Sequence, residues 1–313
     1  MELIQGIVIK STGKNYLVKS GDDLFSCTLR GKMRLKNSRD TNPVAVGDHV
    51  KFYVPDNQKY GVIETVEKRR NHLLRKSTNL SKKSQVIAAN IDQAVLMVTL
   101  VYPRTTRLFI DRFLVSAESF DIPVCLVFNK TDLYDNNLMH KLEEMKAVYQ
   151  DIVYEIHCLS SIDPAEKSHA RHILKNKISV VAGHSGVGKS CFINLAAPEL
   201  NIKTESISEA HNTGKHTTTF AEMYPLKFGG YVIDTPGIRA FGIAHVEKNE
   251  LYHFFPEIFN IAADCKFYNC LHTDEPGCAV KQAVIDGKIA ESRYFSYLNL
   301  FFDDQSKYRE PDY

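Results

Sequence analysis

Residues 178–196 read Ile178-Ser179-Val180-Val181-Ala182-Gly183-His184-Ser185-Gly186-Val187-Gly188-Lys189-Ser190-Cys191-Phe192-Ile193-Asn194-Leu195-Ala196. The apolar run before Gly183 predicts a buried strand, and the run after Ser190 predicts a helix. Between them, Gly183 to Ser190 fits G-x-x-x-x-G-K-S, the phosphate loop, in the strand-to-helix context that gives the motif its meaning. Its glycines let backbone N–H groups turn inward around phosphates, and the helix N-terminus adds a positive dipole. Lys189 is expected to reach the outer phosphates, and the Ser190 hydroxyl to bind Mg²⁺. A nucleoside triphosphate site follows, but the motif does not specify the base.

The base is indicated by Asn129-Lys130-Thr131-Asp132 after the strand-like Pro123-Val-Cys-Leu-Val-Phe128. A carboxylate at Asp132 accepts two hydrogen bonds from guanine, where adenine would present a lone pair and a C–H. Such a site rejects the wrong partner by roughly 10⁴-fold or more. Asn129 is expected to steady the base and adjoining loops, and the Lys130 stem to pack on the ring. Ser160 and Ser161, ending the next strand, can offer a backbone N–H to the guanine carbonyl. Asp234-Thr235-Pro236-Gly237 follows another strand. There Asp234 is placed for the Mg²⁺ shell, and the Gly237 N–H for sensing the terminal phosphate. Between the two phosphate motifs lies Gly214-Lys215-His216-Thr217-Thr218-Thr219. A threonine here, Thr217 or Thr218 in the first instance, can close over Mg²⁺ only while the terminal phosphate is present.

The order of these motifs is permuted. In common GTPases the phosphate loop comes first and the Asn-Lys-x-Asp motif late, whereas here residues 129–132 and 160–161 precede 183–190. From Gln85 to about Ile243, apolar strands alternate with amphipathic helices, the pattern of a parallel sheet covered on both faces. Such a sheet tolerates permutation because its nucleotide loops all leave the carboxyl edge. It also means that the chain runs from Gly237 directly into its C-terminal part.

Composition separates the flanks. The chain has 313 residues, 44% hydrophobic and 24% charged, with a net charge of +2, which marks an ordinary globular protein of several domains. Residues 1–84 hold 17 Lys/Arg against 8 Asp/Glu, and the other 229 hold 22 against 29. A basic front suits a polyanion partner. Residues 1–70 carry five short strand patterns separated by turn residues, expected as an OB-type barrel, with an SH3-like barrel as the alternative. Lys32, Arg34, Lys36 and Arg39 follow the third strand, where an exposed loop can meet phosphates. Residues 71–84 read as a polar, basic linker. Residues 86–100 are expected as one buried strand, and the apolar stretch from Val86 to Tyr102, interrupted by Asn90, Asp92 and Gln93, is short of the ~20 residues of a membrane span. The first residues have no secretory-signal pattern, and seven cysteines, an odd number with four scattered singly and three clustered, do not read as a disulfide framework. A reducing cytoplasm is the expected location.

Beyond residue 243 the pattern turns helical around Cys265-x₄-Cys270-x-His272-x₅-Cys278. Three thiolates and an imidazole make a closed, soft-donor, tetrahedral set, which fits one structural zinc ion. Tyr252, Phe254, Phe255 and Phe259 are expected as apolar faces packed on this loop.

Taken together, the permuted guanine motif, the phosphate loop, the threonine segment, Asp234-Thr-Pro-Gly237 and the Cys₃His cluster behind a basic barrel resemble the small-ribosomal-subunit-dependent GTPases of the YjeQ/RsgA family. The resemblance spans nearly the whole chain. Lys215 departs from it, since Arg or Gln is expected before His216. It implies an OB domain over 1–70, a circularly permuted α/β P-loop GTPase over 71–243 and a mainly α zinc-binding domain over 244–313. It also implies GTP hydrolysis stimulated by the small ribosomal subunit, binding of that subunit and its rRNA late in assembly, and release on hydrolysis. Partners would be GTP and GDP, the subunit and its rRNA, with no membrane, and the state a monomer. Lys189, Gly237 and His216 are the candidate catalytic residues. Ile238 stands where many GTPases place a water-orienting Gln, so His216 is the candidate to orient water or offset transition-state charge. Two other classes compete: an RNA-binding assembly protein whose nucleotide is mainly structural, and a P-loop kinase, which the guanine motif disfavours.

Overall fold

The structure, a computed structural model, describes residues 2–30, 43–56, 58, 60–76, 84–150, 152, 154–202, 221–234 and 246–302. Its first five strands are β1 (Ile4–Ser11), β2 (Asn15–Ser20), β3 (Asp23–Leu29), β4 (His49–Tyr53) and β5 (Gly61–Val66). They pair in the order β1-β2-β3-β5-β4, and β4 returns to β1, which closes the barrel. The parallel β3–β5 pair within this closed five-strand order identifies the OB arrangement over the SH3-like alternative. Alternation along the strands sends Val8, Val18, Cys27, Val50, Phe52 and Ile63 into the barrel. The basic loop residues Lys32, Arg34, Lys36 and Arg39 lie outside the described residues.

The expected linker is different in kind. β6 (His72–Lys76) pairs antiparallel with β7 (Ser84–Ala89), so five residues of the polar stretch form one arm of an antiparallel pair. The apolar run 86–100, expected as one strand, divides into β7 and β8 (Gln93–Val98). Asn90 makes the break. Its backbone sits at φ 55°, a left-handed conformation that Asn tolerates. Its side chain accepts from the Arg70 N–H at 2.9 Å and donates to the Gly47 carbonyl at 2.9 Å.

The central sheet adds β9 (Val124–Phe128), β10 (Glu155–Cys158), β11 (Ile178–Ala182), β12 (Glu222–Pro225) and β13 (Tyr231–Asp234). The order is β10-β9-β8-β11-β13-β12, parallel except for β12. Every residue of β8 is buried, as befits a central strand covered on both faces. One face packs against α1 (Arg107–Glu118) and α2 (Asn136–Gln150). The other packs against α3 (Lys167–Leu174) and α4 (Lys189–Ala196). Thr106 caps α1 by accepting from the Phe109 N–H at 3.2 Å.

The barrel and the central sheet are continuous. β12 pairs with β1 where Lys10 faces Glu222, and the Lys10 ammonium reaches both Glu222 carboxylate oxygens at 3.1 Å. A second attachment joins Val46 to Ala88 and Ala89, with the Ala89 N–H donating to the Val46 carbonyl at 2.8 Å. Ile9 and Val46 from the barrel sit in the same apolar cluster as Leu73, Ala88 and Ile91.

The C-terminal helices α5 (Pro256–Ala262), α6 (Ala279–Ile285) and α7 (Glu291–Phe302) form their own core with Val115 of α1. Arg293, fully buried, fastens α7 to α1. Its guanidinium donates to Asp111 at 2.7 Å and to Glu257 at 2.7 and 3.3 Å, and Tyr149 donates to the same Asp111 oxygen at 3.0 Å. Burial pulls the Arg293 pKa down, but Asp111 and Glu257 outweigh it and hold the guanidinium charged. No helix among the described residues is long and apolar enough to cross a membrane.

Candidate functional site

Three loops leave the carboxyl edge of β9, β10 and β11, and one buried side chain gathers them. Asn129 is 1% exposed. Its amide donates to the Val187 carbonyl of the phosphate loop at 2.8 Å. Its carbonyl oxygen accepts from the Ser161 N–H at 2.9 Å and the Ser161 hydroxyl at 2.7 Å. Residues 58 and 32 positions away along the chain are thereby fixed to one amide. An aspartate lacks the donor and a leucine lacks both functions, so the Asn identity is dictated by this junction.

The phosphate loop obeys the same close geometry. Gly183 has φ 139° and Gly188 φ 102°, conformations that L side chains rarely adopt. A Cβ at Gly183 would lie 2.4 Å from the Met97 carbonyl oxygen, and one at Gly188 would lie 2.2 Å from the Asn129 amide nitrogen. Gly186 is also left-handed, Val187 is fully buried, and Ser185 is exposed at the mouth. The Lys189 ammonium donates to the Gly183 and His184 carbonyls at 2.9 and 2.7 Å, which holds it over the loop. The His184 ring stacks near Phe109 of α1, with centroids 3.9 Å apart. Ser190 lies in the first turn of α4, at the helix end that attracts anions.

Lys130 and Thr131 follow directly. Lys130 sits at φ 63° and its ammonium bonds the Tyr102 carbonyl. Desolvation draws its pKa below the ordinary value, against the opposing pull of Cys191 and Asp132. The Thr131 N–H donates to the Leu159 carbonyl at 3.4 Å. Asp132 is exposed, and the hydroxyl of buried Ser160 donates to its carboxylate. Tyr134 braces the loop from below, donating to the Asn129 carbonyl at 2.8 Å and accepting from the Leu100 N–H at 3.0 Å. The sequence reading missed Tyr134. Its only signal is position, two residues after Asp132.

β13 ends at Asp234, beside β11, so the backbone brings that residue to the same edge as the phosphate loop. The Asp234 side chain, His216, Thr217, Thr218 and Gly237 lie outside the described residues.

A second cluster lies in the C-terminal region. Cys265 Sγ is 3.9 Å from Cys278 Sγ and 3.5 Å from His272 Nδ1, and Cys278 Sγ is 3.6 Å from that nitrogen. Cys270 completes the set, all ligand atoms lying within 4.8 Å of one another. A tetrahedral zinc with Zn–S of about 2.3 Å and Zn–N of about 2.05 Å requires S···S near 3.8 Å and S···N near 3.6 Å. The cluster matches that requirement, and the donor set fits zinc. The loop is held around it: the Glu275 carboxylate accepts from the Leu271 and Thr273 N–H groups at 2.8 and 2.9 Å. Tyr294 and Tyr297 donate to the His272 and Leu271 carbonyls at 2.7 and 2.6 Å. Phe255 is fully buried and Tyr252 and Phe254 are partly so, but Phe259 is 51% exposed, a departure from the expected apolar packing. Its short helix presents that side to solvent while its ring edge meets His253 at 5.2 Å.

The family model for the RsgA GTPase matches residues 66–244, and that for the RsgA N-terminal domain matches residues 5–63. The chain is 47% identical over 308 residues to the small ribosomal subunit biogenesis GTPase RsgA of Bacteroides fragilis, covering 98% of this chain and 99% of that one. It is 45% identical to the protein of the same name from Porphyromonas gingivalis, covering 99% of this chain and 100% of that one. Among solved structures, YjeQ from Thermotoga maritima aligns with a TM-score of 0.80 and 37% identity, over 96% of this chain and 98% of that one. YloQ, described as a circularly permuted GTPase, aligns with a TM-score of 0.77 and 30% identity, over 100% and 98%.

Proposed function

This chain belongs to the RsgA GTPase family, and from that premise we propose that it is a timing switch in maturation of the small ribosomal subunit, docking with GTP bound and leaving when GTP is hydrolysed. The observation that carries the reading is the Asn129 junction, which draws the base-reading, phosphate-binding and Ser161 loops into one pre-organised edge. Pre-organised loops bind without the ordering cost that would otherwise weaken them.

In this reading Asp132, steadied by Ser160, accepts guanine's ring N–H and exocyclic amine. The Lys130 stem lies along the base, and residues 183–190 wrap the phosphates with backbone N–H groups. Lys189 exchanges its two carbonyl partners for phosphate oxygens, a charge-assisted and therefore stronger interaction. Ser190, Asp234 and a threonine of 217–218 hold Mg²⁺, which neutralises charge on the outer phosphates. Gly237 senses the terminal phosphate, and His216 orients the water or offsets transition-state charge. Cys265, Cys270, His272 and Cys278 hold one structural zinc whose binding energy contributes to folding of the C-terminal helices. The basic barrel meets rRNA phosphates, and the protein acts as a cytoplasmic monomer.

Single-turnover hydrolysis measured with and without small subunits tests the switch, together with co-sedimentation in GDP and in a non-hydrolysable GTP analogue. Hydrolysis should accelerate only with subunits present, and co-sedimentation should favour the GTP analogue. Equal rates with and without subunits would leave an RNA-binding protein with an incidental nucleotide.

A further inference from the structure

Along edge strand β10 and the start of α3, four polar side chains stand in a row. Glu155 Oε1 is 3.0 Å from His157 Nε2. His157 Nδ1 is 2.9 Å from His169 Nε2, and His169 Nδ1 is 3.0 Å from Glu166 Oε2. Beside the first pair, Cys125 is 1% exposed and lies opposite Glu155 in the β9–β10 register. Its Sγ, a Glu155 oxygen and a His157 nitrogen all lie within 4.8 Å of one another.

With both imidazoles neutral, the row is one proton or metal ion short. Each of its three contacts joins two heteroatoms and needs a proton or a metal ion between them. Two neutral imidazoles bring two protons, and neither carboxylate brings any. If both imidazoles direct their Nδ1–H toward the Glu166 end, the lone pair of His157 Nε2 faces the lone pairs of Glu155. That is the one contact of the three with a thiol beside it. His169 and Glu166 then do what outer partners of a metal-bound histidine do, fixing the ring and its tautomer through the other nitrogen.

The geometry points to a second metal site: Cys125 Sγ, Glu155 Oε1 and His157 Nε2 holding one Zn²⁺-class ion, its fourth position open to water, with His169 and Glu166 orienting His157. One sulfur, one imidazole and one carboxylate form a mixed donor set suited to zinc, and three protein ligands leave the open position seen in non-structural zinc sites. An ion bonded at about 2.05 Å to both N and O separates them by about 3.3 Å, a small opening of the present 3.0 Å contact. Uptake releases the Cys125 thiol proton to solvent. Lys177 lies 3.6 Å from the other Glu155 oxygen and donates to Gln93 at 2.9 Å, so it braces the carboxylate from the side away from His157. His172, one turn along α3 from His169, is exposed and takes no part in the row. Metal here would pin edge strand β10 to β9 through ligands five and three residues before Ser160.

The test uses the full chain loaded with zinc at the Cys₃His cluster. Dialysis against buffered Zn²⁺ followed by elemental analysis should give two equivalents per chain, and Co²⁺ should enter the second site with a single-thiolate charge-transfer band. Glu155→Gln, at a half-exposed position, and His157→Gln should each return the count to one, while Cys270→Ser removes the other equivalent and so tells the two sites apart. His169→Gln should weaken the second equivalent by roughly 10–100-fold and leave the first unchanged. Guanine nucleotide affinity of Glu155→Gln should stay at the wild-type value. Uptake of only one equivalent by the wild-type chain, meaning that a third proton completes the row, overturns the proposal. So does a second equivalent that persists in both Glu155→Gln and His157→Gln.

Discussion

Replacing Asn129 with Ala severs three hydrogen bonds at once and leaves the Val187 carbonyl, the Ser161 N–H and the Ser161 hydroxyl without their partner. Each buried polar group left unsatisfied costs about 1–3 kcal/mol. Water admitted to the space of the lost amide recovers part of this, so the net loss should be about 3 kcal/mol, the lower end of the summed range. For a unit of this size about 1 kcal/mol lowers Tm by roughly 2–4 °C, which sets the expected drop at about 6–12 °C. If the same coupling pre-organises the nucleotide edge, guanine nucleotide affinity should fall at least tenfold and by as much as about 150-fold, the binding equivalent of 3 kcal/mol. Ser161→Ala removes only the hydroxyl bond and should cost about 1 kcal/mol. Differential scanning fluorimetry and titration with a fluorescent GDP analogue read both quantities. A Tm within about 2 °C of wild type, with unchanged affinity, would refute the claim that Asn129 joins the three loops energetically.

Asp132→Asn replaces an acceptor with a donor, so GTP affinity should collapse while xanthosine triphosphate gains, measured by competition binding. His216→Ala, assayed with saturating small subunits, should abolish stimulated turnover while GTP affinity and subunit binding hold; undiminished stimulation would exclude His216. Arg293→Met strands the buried carboxylate of Asp111, with the partly buried Glu257 beside it, and should cost about 3–5 kcal/mol by urea unfolding, partly restored by adding Asp111→Asn. Cys270→Ser should lose one equivalent of zinc by elemental analysis and unfold the C-terminal helices at lower temperature, whereas a normal thermal profile with no zinc bound would remove the metal from the folding account.

How much of this was legible in residues alone depended on the kind of signal. The phosphate loop announces itself because its glycines are conformational necessities: Gly183 and Gly188 have no room for a Cβ. The OB barrel was legible as five short alternating strands, but its choice over an SH3-like barrel needed the β4–β1 and β3–β5 pairings, which no local pattern encodes. The β6–β7 hairpin was hidden. Residues 71–84 are polar and basic, and pairing with an apolar partner strand overrides their composition. Hydropathy likewise ran through Asn90, because a left-handed Asn that bonds two neighbouring segments looks like any other polar interruption. Tyr134 and Arg293 were invisible for a related reason. Each acts by reaching a group distant in sequence, Leu100 in one case and Asp111 in the other.

The apolar cluster that takes Ile9 and Val46 together with Leu73, Ala88 and Ile91 has a consequence for where the molecule can be cut. A unit of function is not automatically a unit of folding. The barrel has an interior of its own, yet the outer side of β1 is finished only by the sheet that follows it, and the reverse also holds. Removing the first seventy residues would uncover Leu73 and Ala88, which are 1% and 0% exposed, and the remaining protein would carry a raw apolar seam prone to self-association. Loss of ribosome binding in such a truncation would then report colloidal failure as readily as a missing RNA contact. Reversing charges on the barrel while keeping Ile9 and Val46 leaves the seam closed, and the two pieces should still melt in a single cooperative transition.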